Sequence, residues 1–399
     1  MKMPNGSIYD LFKYYRVIVV TVLGTIIFLF GSDEALSAET ACQISTTALK
    51  RASQIRGLPI KEETPCSIKD KEQVKDYLIH TINTKIPKER MAAEALIYRA
   101  FGFIPRTFNY EEGIVKLYLD QLGGFYDPES NSFTMAAWIP AMLQVTVAVH
   151  ELTHALQDQY YNLEEFIDIK KYSSDQLLAR SALVEGDATA VMIDYTRDLL
   201  GQKSIANDSD ISALMMQNIV GTSMFASLND IPESLKLSLL FPYTSGLRFV
   251  HHFLKSGGYS KIDTMFRRPP RSTEEILHPD KYLNNDPDFV DVQVGSNLIP
   301  DGATVTHADT LGEFAISTLL ATFEKDKGRV ASAAAGWAGD KVAIYKIDRG
   351  VESVVWVTAW DSEEDAQEFF SMYSQVLPKV PGVKIKAEQK MVTLTYIQQ

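Results

Sequence analysis

The spacing of apolar positions changes once along the chain. From about residue 46 to residue 256 apolar residues recur every three or four positions, as expected of helices that bury one face. Clear examples are predicted at Glu72–Thr84, Glu89–Ala100, Glu111–Leu122, about Leu143–Gln157 and Leu177–Ala190. Phe241–Gly246, with Pro242 and Gly246, reads as an interruption before a further helix over Leu247–Leu254. After a helix at about Leu311–Phe323 the period shortens. Lys341–Ile347, Ser353–Ala359, Val383–Ala387 and Met391–Ile397 read as strands, with an amphipathic helix at Glu363–Val376 between them. One strand pair is predicted earlier: Gly124–Asp127 and Ser132–Met135, joined by a Pro128–Asn131 turn, form a β-hairpin just before the Leu143 helix. The expected fold is therefore α+β and mainly helical. It divides into an N-terminal helical region (39–110), a second helical body opened by the hairpin (111–290), a linker rich in Asp, Asn, Gly and Pro (291–310), and a small α+β domain (311–399).

Composition narrows the function class. The 399 residues carry 39 basic and 51 acidic side chains, a net charge of −12, with no Lys/Arg cluster. That balance excludes a phosphate-binding face, so no nucleic-acid partner is expected. The start of the chain is different. A basic stretch with Lys2, Lys13 and Arg16 precedes an uncharged run over 17–30 and small residues near Ser37 and Ala38. This is the pattern of a secretory signal peptide over 1–38; at fourteen residues the apolar core is short for a membrane span, though left uncleaved it would act as a membrane tether. Either way the rest of the chain is expected to be exported, to the periplasm, the cell envelope or the medium. Both cysteines, Cys42 and Cys66, then lie in an oxidising compartment as an even pair suited to a disulfide.

The chemistry gathers at Val147-Ala148-Val149-His150-Glu151-Leu152-Thr153-His154. Two histidines four apart lie about 40° apart around a helix, so both imidazoles leave one face and can hold one metal ion. Glu151 between them overlooks the same ion without being needed as a ligand, where a general base for an activated water should stand. The sparer reading is a pair of packing histidines on an ordinary helix. A third ligand decides between a closed structural site and an open catalytic one. Gln157 and Tyr160 stand where a metzincin would have Gly and His, which excludes that class. The acids downstream are Glu164, Glu165, Asp168, Asp175, Glu185 and Asp187. Glu185 is best placed, on a helix whose small residues (Ala182, Gly186, Ala188) would let two helices approach closely enough for its carboxylate to reach the ion. Tyr243 and His278 are candidate donors to an oxyanion.

HELTHALQDQ followed by ALVEGDATA resembles the gluzincin metallopeptidases, in which HExxH and a Glu on a following helix bind zinc. The chain is similar in particular to a set of exported bacterial metallopeptidases. The shared blocks are Gly124–Pro128, Phe241–Gly246, Ser272–Pro279 and Gly336–Asp340, and the likeness runs from about Glu111 to the C-terminus. The resemblance implies a zincin-like catalytic domain over 111–290, Zn2+ held by His150, His154 and Glu185, and Glu151 as general base acting on a peptide or protein substrate. Two other readings share these residues: a zinc-stabilised, non-catalytic envelope protein that binds a partner through its C-terminal module, and a hydrolase of some other amide. The sequence leaves the substrate and the oligomeric state open.

Overall fold

The computed structural model describes residues 38–119, 123–215, 230–285, 289–347 and 350–398. Nearly all of the expected signal or tether segment, 1–37 with its apolar run, lies outside the described residues. Among those described, no helix is long and apolar enough to cross a membrane.

The fold is α+β with two small sheets. Helix α1 (Ala38–Arg56) leads to strand β1 (Cys66–Lys69), then to α2 (Lys71–Lys85), α3 (Lys88–Phe101) and α4 (Tyr110–Leu119). Asp70 caps α2 through the Gln73 amide, while Gln73 returns a bond to the Asp70 backbone, so two N-terminal donors that a helix cannot satisfy internally are paired. The hairpin follows as β2 (Gly124–Asp127) and β3 (Ser132–Ala136), antiparallel with Tyr126 opposite Phe133. Strand β1 was not anticipated within a helical region. It runs parallel to β3, with Cys66 beside Phe133, and gives the sheet the order β1-β3-β2. A four-residue strand has too short a period to stand out; the Cys42–Cys66 disulfide, which ties it to α1, helps to hold it there.

Helix α5 (Ala141–Tyr161) crosses this sheet. Its Ala148, Leu152 and Leu156 pack against Ala48 and Ala52 of α1 and against Phe133 and Met135 of β3. After the single turn α6 (Leu163–Phe166) comes α7 (Ser174–Leu199), started by a Ser173/Gln176 capping box, and then α8 (Glu233–Arg267). The expected interruption at Phe241–Gly246 is absent: α8 runs through Pro242. Proline removes one backbone donor and crowds the preceding turn, but Phe241 is buried with its ring 4.0 Å from Phe314, and this packing holds the turn in helical form. The helical backbone breaks instead at Gly258, whose φ of 60° suits glycine.

Two short helices, α9 (Thr273–Leu277) and α10 (Pro279–Leu283), precede the C-terminal part: β4 (Thr304–Asp309), α11 (Gly312–Ala321), α12 (Lys327–Ala334), β5 (Trp337–Lys346), β6 (Glu352–Trp360), α13 (Glu363–Ser374), β7 (Val383–Glu388) and β8 (Met391–Ile397). The five strands form one antiparallel sheet, β4-β5-β6-β8-β7. The stretch expected as a linker is part of this unit. Residues 304–309 are its edge strand; Val292 is buried against Val355 and Val357, and the Val290 amide donates to Ala338 at 2.7 Å. The reason is that β6 is apolar on both faces and needs cover on each. The apolar residues that supply it are scattered among polar ones and carry no period. On the inner face Trp356 meets Phe101 of α3 at 5.4 Å between ring centroids, so the C-terminal sheet shares a core with the N-terminal helices.

Candidate metal centre

Helix α5 presents His150 and His154 from one face, and α7 brings Glu185 to them. The Nε2 of His150 lies 3.0 Å from Glu185 Oε2 and 3.2 Å from His154 Nε2, and His154 Nε2 is 3.4 Å from the same carboxylate oxygen. A tetrahedral zinc with bonds of about 2.0–2.1 Å separates its ligands by about 3.3–3.4 Å. The three edges lie within about 0.4 Å of that figure, the His150–Glu185 edge being the shortest, and two neutral imidazoles with one carboxylate are a donor set that zinc accepts. Among the described residues this trio is the group of His, Cys, Asp and Glu able to hold a metal ion. The Glu185 side chain is 22% exposed against 11% for each histidine, so the trio is partly buried rather than sealed.

The electrostatics favour positive charge at this point. Burial works against a charged His154, but the Glu185 carboxylate more than offsets it and lifts the imidazole to about 9. Burial likewise opposes ionisation of Glu185, and the two imidazoles override it and hold the carboxyl well below its usual range. Glu151 is raised by burial, against the pull of the imidazoles. Its Oε2 accepts from the Tyr126 amide of β2 at 3.1 Å, so the hairpin strand holds the carboxylate that the sequence places over the ion. The Tyr126 hydroxyl in turn donates to Asp158 Oδ2 at 2.8 Å and so pins β2 to α5.

Close approach of α7 and α8 brings Tyr243 in. A Cβ on Gly186 would lie 2.4 Å from the Gly246 carbonyl, and one on Gly246 only 2.1 Å from the Ala182 oxygen, so backbone meets backbone there. Ala182 and Gly186, among the small residues expected to admit α5, thus face α8. One turn before Gly246, the Tyr243 ring sits 6.1 Å from that of His150, and its hydroxyl is raised well above its usual range by burial and by the Glu185 and Glu151 charges.

His278 is not part of this group. Its Nε2 is 3.0 Å from Glu313 Oε1 near the start of α11, and Gly312 beside Glu313 packs on Asp175 at the opening of α7. Asp175 and Glu185 are separated by about 15 Å of helix rise. The remaining acids lie elsewhere too. Glu164 and Glu165 are exposed, and Asp168 caps its own turn at Lys170. Asp175 is buried, accepting from the Thr273 amide and hydroxyl at 2.9 and 2.5 Å. Asp187 is buried behind the site, accepting from Arg56 Nε at 2.8 Å and from Gln157 Nε2 at 2.9 Å. Arg56, Gln157 and Tyr126 were not singled out in the sequence. Gln157 lies one helical turn after His154 and so shares its face; Arg56 and Tyr126 reach the site only through tertiary contacts.

A family model described as a domain of unknown function (DUF8575) matches residues 302–396. No curated protein and no solved structure matches the chain. The matched span coincides with the five-stranded sheet beginning at β4 and leaves out the histidine pair; over those residues the chain is similar to that domain of unknown function.

Proposed function

We propose that this protein is an exported, zinc-dependent metallopeptidase of gluzincin type with a zincin-like catalytic core, hydrolysing peptide bonds of a peptide or protein substrate. The observation that carries this reading is the convergence of His150, His154 and Glu185 at 3.0–3.4 Å with the Glu151 carboxylate held alongside by β2. Zinc bound there would polarise a water and lower its pKa towards about 7. Glu151 would take the proton of that water as it attacks the carbonyl and pass it to the leaving amine. Tyr243, beside His150 and Glu185, is placed to donate to the developing oxyanion. The Cys42–Cys66 disulfide is in keeping with export.

A closed, purely structural site would need a fourth protein donor. Asp187, two residues from Glu185, and His278 are engaged by Arg56 and Gln157 and by Glu313 rather than turned to the trio, which favours the catalytic reading. The test is metal content of the protein lacking residues 1–38, together with cleavage of an unfolded protein with and without chelator, for the parent and Glu151→Gln. One zinc per chain, with chelator-sensitive cleavage lost in the variant, is the expected result. Absence of bound metal, or a variant as fast as the parent, would overturn the proposal.

A further inference from the structure

Behind His154 lies a chain of buried hydrogen bonds that dictates which ring nitrogen faces the metal position. The His154 Nδ1 is 2.8 Å from Gln157 Oε1. The amide nitrogen of Gln157 donates to the Val184 carbonyl at 3.0 Å and to Asp187 Oδ2 at 2.9 Å. The carbonyl only accepts, and Asp187 Oδ2 already accepts from the Arg56 guanidinium at 2.8 Å, so the amide nitrogen must point to them and the amide oxygen to His154. An amide oxygen also only accepts; Nδ1 must therefore carry the proton, and the lone pair of the neutral ring is left on Nε2, 3.2 Å from His150 Nε2 and 3.4 Å from Glu185. Asp187 is fixed in its turn by Arg56 of α1, whose guanidinium also pairs with Asp263 at 2.8 Å. Gln157, Asp187 and Arg56 are at most 1% exposed, so these bonds lie away from bulk solvent. Among the described residues, no group hydrogen-bonds the buried Nδ1 of His150.

We infer that Gln157 is a positioning residue that presets His154 as the Nε2 ligand of the metal, with Asp187 and Arg56 fixing the sense of its amide. This rests on the zinc site proposed above. The two histidines then differ: His154 is held from behind through Nδ1, whereas His150 is held through Nε2, which meets Glu185 at 3.0 Å. Outer partners of metal-binding histidines commonly contribute about 10- to 100-fold in metal affinity. The N-terminal helix α1 becomes part of the site through Arg56, although it carries no ligand.

The test measures the zinc dissociation constant by competition with a chromogenic chelator, alongside the melting temperature of the metal-free protein, for the parent, Gln157→Met and Gln157→Glu. Gln157→Met keeps length but removes the acceptor, and it is expected to weaken zinc binding by about 10- to 100-fold. Gln157→Glu keeps an oxygen for Nδ1–H but loses the amide donor to Val184 and Asp187, and is expected to bind zinc less tightly than the parent and more tightly than Gln157→Met. A glutamine that only fills space would lower the melting temperatures and leave the affinity unchanged, and that result overturns the inference. Should the variants not fold, 15N spectra of histidine-labelled, zinc-loaded parent decide: a proton on Nδ1 of His154 with Nε2 on the metal supports the inference, and metal on Nδ1 refutes it. If the parent binds no zinc, the functional reading fails and takes this inference with it; zinc bound equally well by parent and Gln157→Met sinks the inference alone.

Discussion

Substituting Gly246 by alanine sets two effects of opposite sign against each other. Within a helix, Gly→Ala favours the folded state by up to about 1 kcal/mol, because glycine loses more backbone freedom. Here, however, the new Cβ would stand 2.1 Å from the Ala182 oxygen and 2.8 Å from its carbonyl carbon, both backbone atoms of α7 that cannot rotate away. Reaching an ordinary contact of about 3.4 Å requires the two helices to separate by about 1.3 Å. Overpacking of that kind costs about 1–3 kcal/mol, so the net expectation is loss of stability. The movement has a second consequence. Helix α7 carries Glu185, and metal sites tolerate about 0.2 Å in ligand distance; either Glu185 shifts with α7 or Tyr243 withdraws with α8. Chemical denaturation and chelator competition should show a lower midpoint and zinc affinity reduced by more than about tenfold. A Gly246→Ala protein as stable as the parent, or more so, with unchanged zinc affinity, would refute the backbone contact and its role in placing Glu185.

Glu151→Gln should retain zinc while lowering kcat by at least about 100-fold, the usual contribution of a general base, measured by single-turnover cleavage. Arg56→Met should cost about 3–5 kcal/mol in urea unfolding, because it removes one partner of a fully buried ion pair with Asp187. Reducing Cys42–Cys66, which closes a loop of sequence separation 24, should lower stability by about 3 kcal/mol, read as a fall in denaturation midpoint with added reductant. His278 is raised by its hydrogen bond to Glu313, and Glu313 is itself raised by burial. A group raised on folding stabilises below its unfolded pKa and loses that contribution as pH climbs, so the stability difference between parent and His278→Gln should shrink as pH rises beyond about 6.5, while cleavage is unaffected. Lost cleavage in His278→Gln would restore it as an oxyanion donor.

Helical period exposed α5 and α7 in the sequence because each must bury a stripe several turns long, and a stripe of that length is statistically visible. HExxH was legible for the same reason, since its spacing is a property of one helix and needs no partner. The hairpin announced itself through turn residues, and the C-terminal strands through Val- and Thr-rich runs. The failures were of another kind. Pro242 reads locally as a break, but the burial of Phe241 against Phe314 outweighs it. The 291–310 stretch reads as a linker because its polar residues dominate the composition, while Val292 and its neighbours cover one face of the sheet.

Legible along the chain are the features that lie within one helix or one turn: the common face of His150, Glu151 and His154, the hairpin, and the longer helices and strands taken one at a time. Tertiary packing was needed to bring Glu185, favoured among six acids in the sequence, to the histidines, to set α7 against α8 at Gly186 and Gly246, and to let Arg56, some 130 residues from Asp187, anchor the hydrogen bonds behind His154. The reason is that local period is set by backbone geometry, which every residue reports, whereas a contact between distant residues depends on the packing of several helices together, and no single stretch of chain encodes it.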